Sequence, residues 1–153
     1  MATIANHGVR MQPHVVDRTI DYEGETVYQW EPRLMDRINM SDENWDVLYD
    51  ALQAVTQPGG TAYRTFGNYP VSVAAKTGTA QTGLVGDDKN NDYHGWFVAF
   101  APADDPEVAF AGMVEYGFHG FSSGGVVCKD VFDAYFGFDG SQTVSNVHSS
   151  VVE

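Results

Sequence analysis

One stretch of this chain, Lys76-Thr77-Gly78-Thr79, combines an ammonium and two hydroxyls that could do chemistry with a glycine between them. It follows an apolar run, residues 71–75, that is typical of a buried strand. A lysine ammonium and threonine hydroxyls donate hydrogen bonds to carboxylates. A glycine between them lets a ligand approach the backbone. The stretch therefore predicts a strand that binds the acidic end of a ligand.

Side chains alternate along a strand, so Lys76, Gly78 and Ala80 are predicted on one face and Thr77 and Thr79 on the other. If this strand lies at the edge of its sheet, both sets can reach a ligand lying beside it. The free backbone groups of an edge strand can also pair with an extended peptide. A peptide with an acidic end is thus the kind of ligand that the pattern favours.

A phosphate-binding loop is the obvious rival, because Lys-Thr also ends that motif. The motif requires glycines six residues and one residue before the lysine, and Pro70 and Ala75 occupy those positions. The lysine also follows a strand-like run without a break. These mismatches exclude the phosphate-binding interpretation.

Other reactive side chains favour structural roles. Gln81 is a candidate for substrate contact, the alternative being an amide that only ends the strand. Cys128, the single cysteine, lies in an apolar helical pattern and is predicted to be a buried thiol. His94 and Trp96 begin the next predicted strand, so a place at the rim of the site is an alternative to a structural role for them.

No metal or cofactor is predicted. The five histidines have no metal-binding spacing such as His-Glu-x-x-His. The acidic stretch at 87–92 lacks the ligand order of a calcium-binding loop. Trp45 and the aromatic residues Tyr116, Phe118 and Phe121 are predicted to form core or to cover it rather than to bind a ligand.

Charge and composition limit the possible partners. The 153 residues contain 8 basic and 21 acidic side chains, a net charge of −13, which argues against nucleic acid and against an anionic membrane face. The 43% hydrophobic content predicts a folded domain. No run is long and apolar enough to span a bilayer, and the first residues do not have the pattern of an export signal.

The predicted elements give an α+β fold in which helices pack on an antiparallel sheet. Gly8 is predicted to end the first helix in the left-handed conformation, and Ser41 to cap the start of a helix that Pro58 follows. The apolar face of the last helix is predicted to comprise Val127, Cys128, Val131, Phe132 and Tyr135. The predicted helices cover 1–8, 42–57 and 124–136, and the predicted strands 14–20, 26–30, 71–81, 94–101 and 107–116.

Several segments together carry a resemblance to a known family. They are residues 1–10 with 12–14, Gly59-Gly60-Thr61-Ala62, residues 75–81, and 94–102 beginning His-Gly-Trp-Phe. Their order and spacing resemble the class B penicillin-binding proteins, in particular the elongation-type monofunctional transpeptidases, over residues 1 to about 138. The resemblance predicts a C-terminal portion of the transpeptidase domain at 1–139. Residues 140–153 are polar and without periodicity, which predicts a flexible tail.

The resemblance implies an incomplete β-lactamase/transpeptidase-like fold and a peptidoglycan D,D-transpeptidase. In that family a serine attacks the D-Ala-D-Ala end of a stem peptide, or a β-lactam, and an amine of another stem resolves the acyl-enzyme. Carried over, Lys76 would orient the serine network, and Thr77 and Thr79 would hold the substrate carboxylate. The backbone N–H of Thr79 would be an oxyanion-hole donor. The complete protein would act at the extracytoplasmic face of the bacterial cytoplasmic membrane.

The chain departs from the family in one decisive respect. No serine is followed three residues later by lysine, and Ser-x-Asn is absent. Because nucleophilic catalysis needs a nucleophile beside its base, the isolated chain is predicted to be inactive. Two alternatives remain: a non-catalytic module that binds peptidoglycan or β-lactams, and an unrelated α+β protein. The resemblance also implies that the strand at 107–116 lacks a neighbour here, so self-association through its edge is expected.

Overall fold

The structure, a computed structural model, describes residues 1–83 and 93–138 of the chain. The predicted tail at 140–153 and the acidic stretch at 87–92 lie outside these residues. The order of elements is that of an α+β fold, as predicted. The elements are α1 (Ala2–Ala5), β1 (Val9–Met11), β2 (Arg18–Ile20), β3 (Thr26–Gln29), β4 (Leu34–Arg37), α2 (Asp42–Ala54), α3 (Tyr63–Phe66), β5 (Ala74–Gln81), β6 (Tyr93–Ala101), β7 (Val108–Val114) and α4 (Gly124–Phe136).

The last three strands form one antiparallel sheet in the order β5-β6-β7. Strand β5 pairs with β6 along its whole length, from Ala74 opposite Phe100 to Gln81 opposite Tyr93. Strand β7 pairs with the other side of β6, with Val114 opposite Gly95. Within the described residues, β5 and β7 are therefore the two edges of the sheet.

Helix α4 covers one face of this sheet and encloses the larger core. Phe97, Cys128 and Phe132 are completely buried there, and Phe66 of α3 packs beside them. The helix can approach closely because it begins with two glycines; a Cβ added to Gly124 would lie 2.8 Å from the Cβ of Phe97. Deep burial of these aromatic rings supplies much of the hydrophobic stabilisation of the domain.

Helices α1 and α2 cover only one end of the opposite face. Phe100 and Leu52 are buried between them and the sheet, and the Tyr49 hydroxyl donates to the carbonyl oxygen of Ile4 at 2.6 Å. Trp45 is 5% exposed, which confirms its predicted place in the core. Beyond this end the face is open, and Trp96 is 45% exposed. The Lys-Thr-Gly strand therefore crosses from a covered to an uncovered part of the sheet.

Two nested strand pairs occupy the region between the first helix and α2. Strand β1 pairs with β4, and β2 pairs with β3 around a turn at Gly24, whose φ of 88° only glycine adopts readily. The second pair was predicted, although its first strand begins at Arg18 rather than at residue 14. The outer pair was missed, because strands of three and four residues, exposed apart from the half-buried Val9, carry no periodic apolar signal.

Other predicted boundaries hold with corrections. Gly8 has the predicted left-handed φ of 84°, but the first helix already ends at Ala5. Ser41 occupies the N-cap of α2 without a capping hydrogen bond from its side chain. Strand β5 begins at Ala74 rather than at 71, because Ser72 accepts a bond from the Ala103 N–H, at the turn beyond β6. The one-turn helix α3 was missed because it is too short to show periodicity.

The predicted apolar face of α4 is partly wrong. Cys128 and Phe132 are buried as predicted, but Val127, Val131 and Tyr135 are between 41% and 47% exposed. The buried stripe follows the spacing of four residues from Gly124 to Cys128 and Phe132, and the valines lie on the adjacent stripe. Glycines carry no hydrophobic signal, which is why the sequence pattern favoured the wrong neighbours. Among the described residues, no helix has the length and apolar content needed to cross a membrane.

Candidate active-site strand

Lys76 lies on edge strand β5, just past the part of the sheet that α2 covers. Its side chain is exposed, and its Nζ donates to the carbonyl oxygen of Thr77 at 2.5 Å. In the described part of the chain the one salt bridge joins Lys129 and Asp133, so no carboxylate neutralises Lys76. An exposed ammonium with no acidic partner, on a strand edge, is available to an anionic ligand.

The hydroxyl of Thr77 has a partner that the sequence did not predict. Its Oγ1 lies 3.2 Å from Oγ1 of Thr61, which belongs to the Gly-Gly-Thr-Ala segment after α2. That segment is held close to the helix end: a Cβ on Gly60 would lie 2.3 Å from the carbonyl oxygens of Ala54 and Val55. Two hydroxyls thus meet on the face of β5 opposite Lys76. Thr61 was noted only as part of a family-like segment, and no local chemistry singled it out.

Gly78 is closely packed on both sides of the strand. A Cβ at this position would lie 3.1 Å from the Cβ of Trp96 on β6, tighter than ordinary van der Waals contact. On the other side the buried Gly120 approaches the carbonyl oxygen of Gly78. The structure therefore gives Gly78 a packing reason for its lack of a side chain, beside the predicted close approach of a ligand.

The end of β5 is exposed and carries the last two predicted site residues. Thr79 is exposed and pairs with Gly95 of β6. The Gln81 amide nitrogen donates to the hydroxyl of Tyr93 at 3.3 Å. This contact favours the interpretation of Gln81 as an amide that ends the strand. Of the five predicted site residues, the structure places all on one edge strand, with Lys76 and Gly78 facing away from Thr77, Thr79 and Gln81.

A loop at residues 115–123, called here the β7–α4 loop, closes around this end of the sheet. Tyr116 and Phe118 have positive φ values of 54° and 57°. The Tyr116 N–H donates to Nδ1 of His94 at 3.2 Å, and the Phe118 N–H donates to the carbonyl oxygen of Tyr93 at 3.3 Å. Tyr116 and Phe118 are half exposed, so they cover the sheet end rather than fill the core. For His94 the sequence left a structural role and a place at the rim open, and its bond to the Tyr116 N–H favours the structural role.

Electrostatics elsewhere argue for structure rather than catalysis. Burial raises the pKa of the Cys128 thiol well above its usual range, so Cys128 stays protonated and is not a nucleophile. A hydrogen bond of 2.7 Å from the Ser72 hydroxyl lowers the pKa of Asp104 and ties the turn beyond β6 to the start of β5. Within residues 1–83 and 93–138, no three His, Cys, Asp or Glu side chains cluster in a way that could hold a metal ion.

Comparisons with known proteins cover nearly the whole described region. The sequence model of the penicillin-binding protein transpeptidase domain matches residues 1–134. Peptidoglycan D,D-transpeptidase MrdA of Acinetobacter baumannii is 38% identical in an alignment of 143 residues that covers 86% of this chain and 20% of that protein. Peptidoglycan D,D-transpeptidase PbpA of Mycolicibacterium smegmatis is 36% identical in an alignment of 119 residues that covers 76% of this chain and 22% of that protein.

Solved structures give the same answer for the fold. Penicillin-binding protein A of M. tuberculosis, as a ceftriaxone acyl-enzyme, matches with a TM-score of 0.70 at 28% identity, over 86% of this chain and 29% of that one. PBP2 of Pseudomonas aeruginosa, in complex with WCK 5153, matches with a TM-score of 0.69 at 34% identity, over 88% and 28%. The chain thus spans about a fifth of the length of the curated relatives that it matches.

Proposed function

The chain belongs to the penicillin-binding protein transpeptidase family, and from that membership we propose that it is the part of a peptidoglycan D,D-transpeptidase that presents the carboxylate-binding strand. One observation carries the proposal: Lys76 is an exposed cation on an edge strand, and no carboxylate lies beside it in the described residues. Its ammonium bonds only to a backbone carbonyl there, so an incoming carboxylate or a polarised serine can compete for it.

In the proposed reaction the nucleophilic serine comes from the remaining part of a complete enzyme. Its oxygen attacks the carbonyl carbon between the two terminal D-alanines, and the carbon–nitrogen bond breaks. The departing D-alanine amine takes a proton, and an ester is left on the serine. The amine of a neighbouring stem then attacks the ester, loses a proton and frees the serine. A β-lactam undergoes only the first half of this reaction, because the amine released when its ring opens remains attached to the acyl group on the serine.

The chain's own residues would bind and polarise rather than attack. Lys76 orients the serine network, and Thr77 and Thr79 hold the terminal carboxylate, with Gly78 keeping the strand clear and Gln81 at its end. The Thr61 hydroxyl, 3.2 Å from that of Thr77, fixes the threonine rotamer and so sharpens the carboxylate site. The Thr79 backbone N–H is one donor to the oxyanion. We also propose that the complete enzyme works at the extracytoplasmic face of the cytoplasmic membrane, where it meets its stem peptides.

Fluorescent penicillin tests this proposal. The complete polypeptide that contains this chain is expected to form an adduct that survives denaturing electrophoresis and is prevented by excess unlabelled penicillin. The 153-residue chain alone is expected to form none, because it contains no Ser-x-x-Lys.

A labelled isolated chain would show that the nucleophile lies within it, against the proposal. A complete polypeptide that stays unlabelled would refute the transpeptidase assignment. Reversible, Lys76-dependent binding of D-Ala-D-Ala by that unlabelled protein would instead support the non-catalytic module.

We further propose that the isolated chain associates with itself through β7. This strand pairs only with β6 in the described structure, and Ala109, Ala111 and Met113 are exposed along it. A long, weakly charged edge with free backbone groups is a template for pairing with a second copy. In a complete enzyme β7 would have a neighbour, so this association is expected of the 153-residue chain alone.

Ala111→Lys should reduce this association, because a lysine on an edge strand opposes pairing between copies. Light scattering of the 153-residue chain is expected to show a mass above that of the monomer that rises with concentration, and a monomer for the variant. Val126→Lys adds the same charge at a position 47% exposed on α4 and is expected to leave association unchanged. A wild-type chain that stays monomeric at high concentration would contradict the proposal.

A further inference from the structure

Two residues of the β7–α4 loop adopt a backbone conformation that needs external support. Tyr116 and Phe118 have φ values of 54° and 57°, and neither is a glycine. For residues with bulky side chains such conformations persist only when neighbouring groups hold them in place. The loop leaves β7 after Val114, so both lie at its beginning.

Both residues are attached to the first two residues of β6. The Tyr116 N–H donates to Nδ1 of His94 at 3.2 Å, and the two rings meet edge to face with centroids 5.5 Å apart. The Phe118 N–H donates to the Tyr93 carbonyl oxygen at 3.3 Å, but that acceptor is backbone and survives any substitution. The His94 bond differs, because it depends on one side chain and requires an unprotonated Nδ1.

The far end of the same loop reaches the Lys-Thr-Gly strand. A Cβ placed on Gly120 would lie 2.0 Å from the Trp96 carbonyl oxygen and 2.8 Å from that of Gly78. The loop backbone is therefore in contact with the strand beside Thr79, whose N–H is the proposed oxyanion donor. A shift at the beginning of the loop would be transmitted to this contact over only four residues.

We propose that His94 is a positioning residue for acyl transfer. Its Nδ1 accepts the Tyr116 N–H, holds Tyr116 in the left-handed conformation and thereby sets the β7–α4 loop against the backbone of Gly78 and Thr79. The inference rests on the proposed transpeptidase function, and it adds a residue that does not touch the reacting atoms. Loss of the acceptor would free the loop and misplace the oxyanion donor by a fraction of an ångström, which is enough to slow a reaction that depends on geometry.

Two substitutions in the complete transpeptidase separate positioning from packing. His94→Ala removes the acceptor, and the second-order rate of acylation by fluorescent penicillin is expected to fall about tenfold, the typical scale for one lost hydrogen bond. His94→Asn offers an amide oxygen where Nδ1 was, and the rate should return to within about threefold of wild type.

A measurement on the 153-residue chain tests the anchoring without catalysis. The Tyr116 amide should exchange with solvent faster in His94→Ala than in wild type, and at the wild-type rate in His94→Asn. Equal acylation by His94→Ala and wild type would overturn the proposal, as would equal impairment of both variants. An unlabelled wild-type enzyme would overturn the proposed function instead, and the Tyr116 amide would still decide whether His94 anchors the loop.

Discussion

Replacing Lys76 by methionine is expected to slow acylation of the complete transpeptidase by penicillin about 10³-fold. That figure lies between the cost of losing one oxyanion donor and that of losing the orienting member of a catalytic triad. Methionine keeps the length and most of the volume of the side chain, so the loss isolates the positive charge. Stopped-flow or gel-based rates of labelling with fluorescent penicillin measure the effect.

The structure predicts that this loss is functional rather than structural. Lys76 is exposed and, among residues 1–83 and 93–138, donates only to the adjacent carbonyl oxygen of Thr77, so its replacement should change the free energy of unfolding by less than about 0.5 kcal/mol. Unfolding in urea, followed by tryptophan fluorescence, checks this. A variant that labels slowly because it is unfolded would thus be distinguished from one that is folded and unreactive.

Lys129 supplies the matched control. It lies on α4, pairs with Asp133 four residues away and contacts the Tyr69 ring, away from β5. Lys129→Met removes the same charge and is expected to leave the acylation rate unchanged. Equal slowing by both variants would show that the net charge of the domain, and not a lysine on the site strand, governs the reaction. A Lys76→Met enzyme that labels at the wild-type rate would remove the main support for the proposed function.

The strand that carries Lys76 was predictable because its signals are local. An apolar run leads directly into Lys-Thr-Gly, and the polar stretch after Gln81 marks an end to the strand. Alternation then assigns each side chain to a face without further information. The sequence also predicted three strands of an antiparallel sheet at 71–81, 94–101 and 107–116, and the structure pairs them in the order β5-β6-β7. The start of β5 at Ala74 could not be predicted from the sequence. It depends on hydrogen bonds of Ser72 to the turn at 103–104, which join residues more than thirty positions apart.

The residues that hold the site residues in place were not predictable, because their contacts also join parts of the chain that are distant in sequence. Thr61 lies beside Thr77 because Gly60, which has no side chain, packs against the carbonyl oxygens of Ala54 and Val55 at the end of α2. The aromatic residues of the β7–α4 loop suggested core or cover, but nothing local indicates that Tyr116 takes a positive φ or that His94 accepts its N–H. Such residues act through tertiary contacts. A sequence pattern shows the groups that touch a ligand more readily than those that hold them.

Gly120→Ala is expected to be the most damaging small change outside β5. The glycine is buried and its φ is not positive, so alanine is acceptable to the backbone and only space decides the outcome. Its Cβ would lie 2.0 Å from the Trp96 carbonyl oxygen and 2.8 Å from that of Gly78, and neither backbone atom can rotate away. The β7–α4 loop must move off the strand. The acylation rate should fall about 10²-fold, because misplacement by about 1 Å has that effect.

Overpacking of this kind also lowers the free energy of unfolding, here by about 1–3 kcal/mol. Gly24→Ala is the control: it imposes a left-handed alanine in the β2–β3 turn, where nothing lies within 4 Å of the added methyl group. That variant should be destabilised by about 1–2 kcal/mol yet acylate normally. If loss of stability alone slowed the reaction, the two variants would be slowed alike. Slowing confined to Gly120→Ala would mean that the loop acts on the Lys-Thr-Gly strand through direct contact, because both proteins would be comparably destabilised.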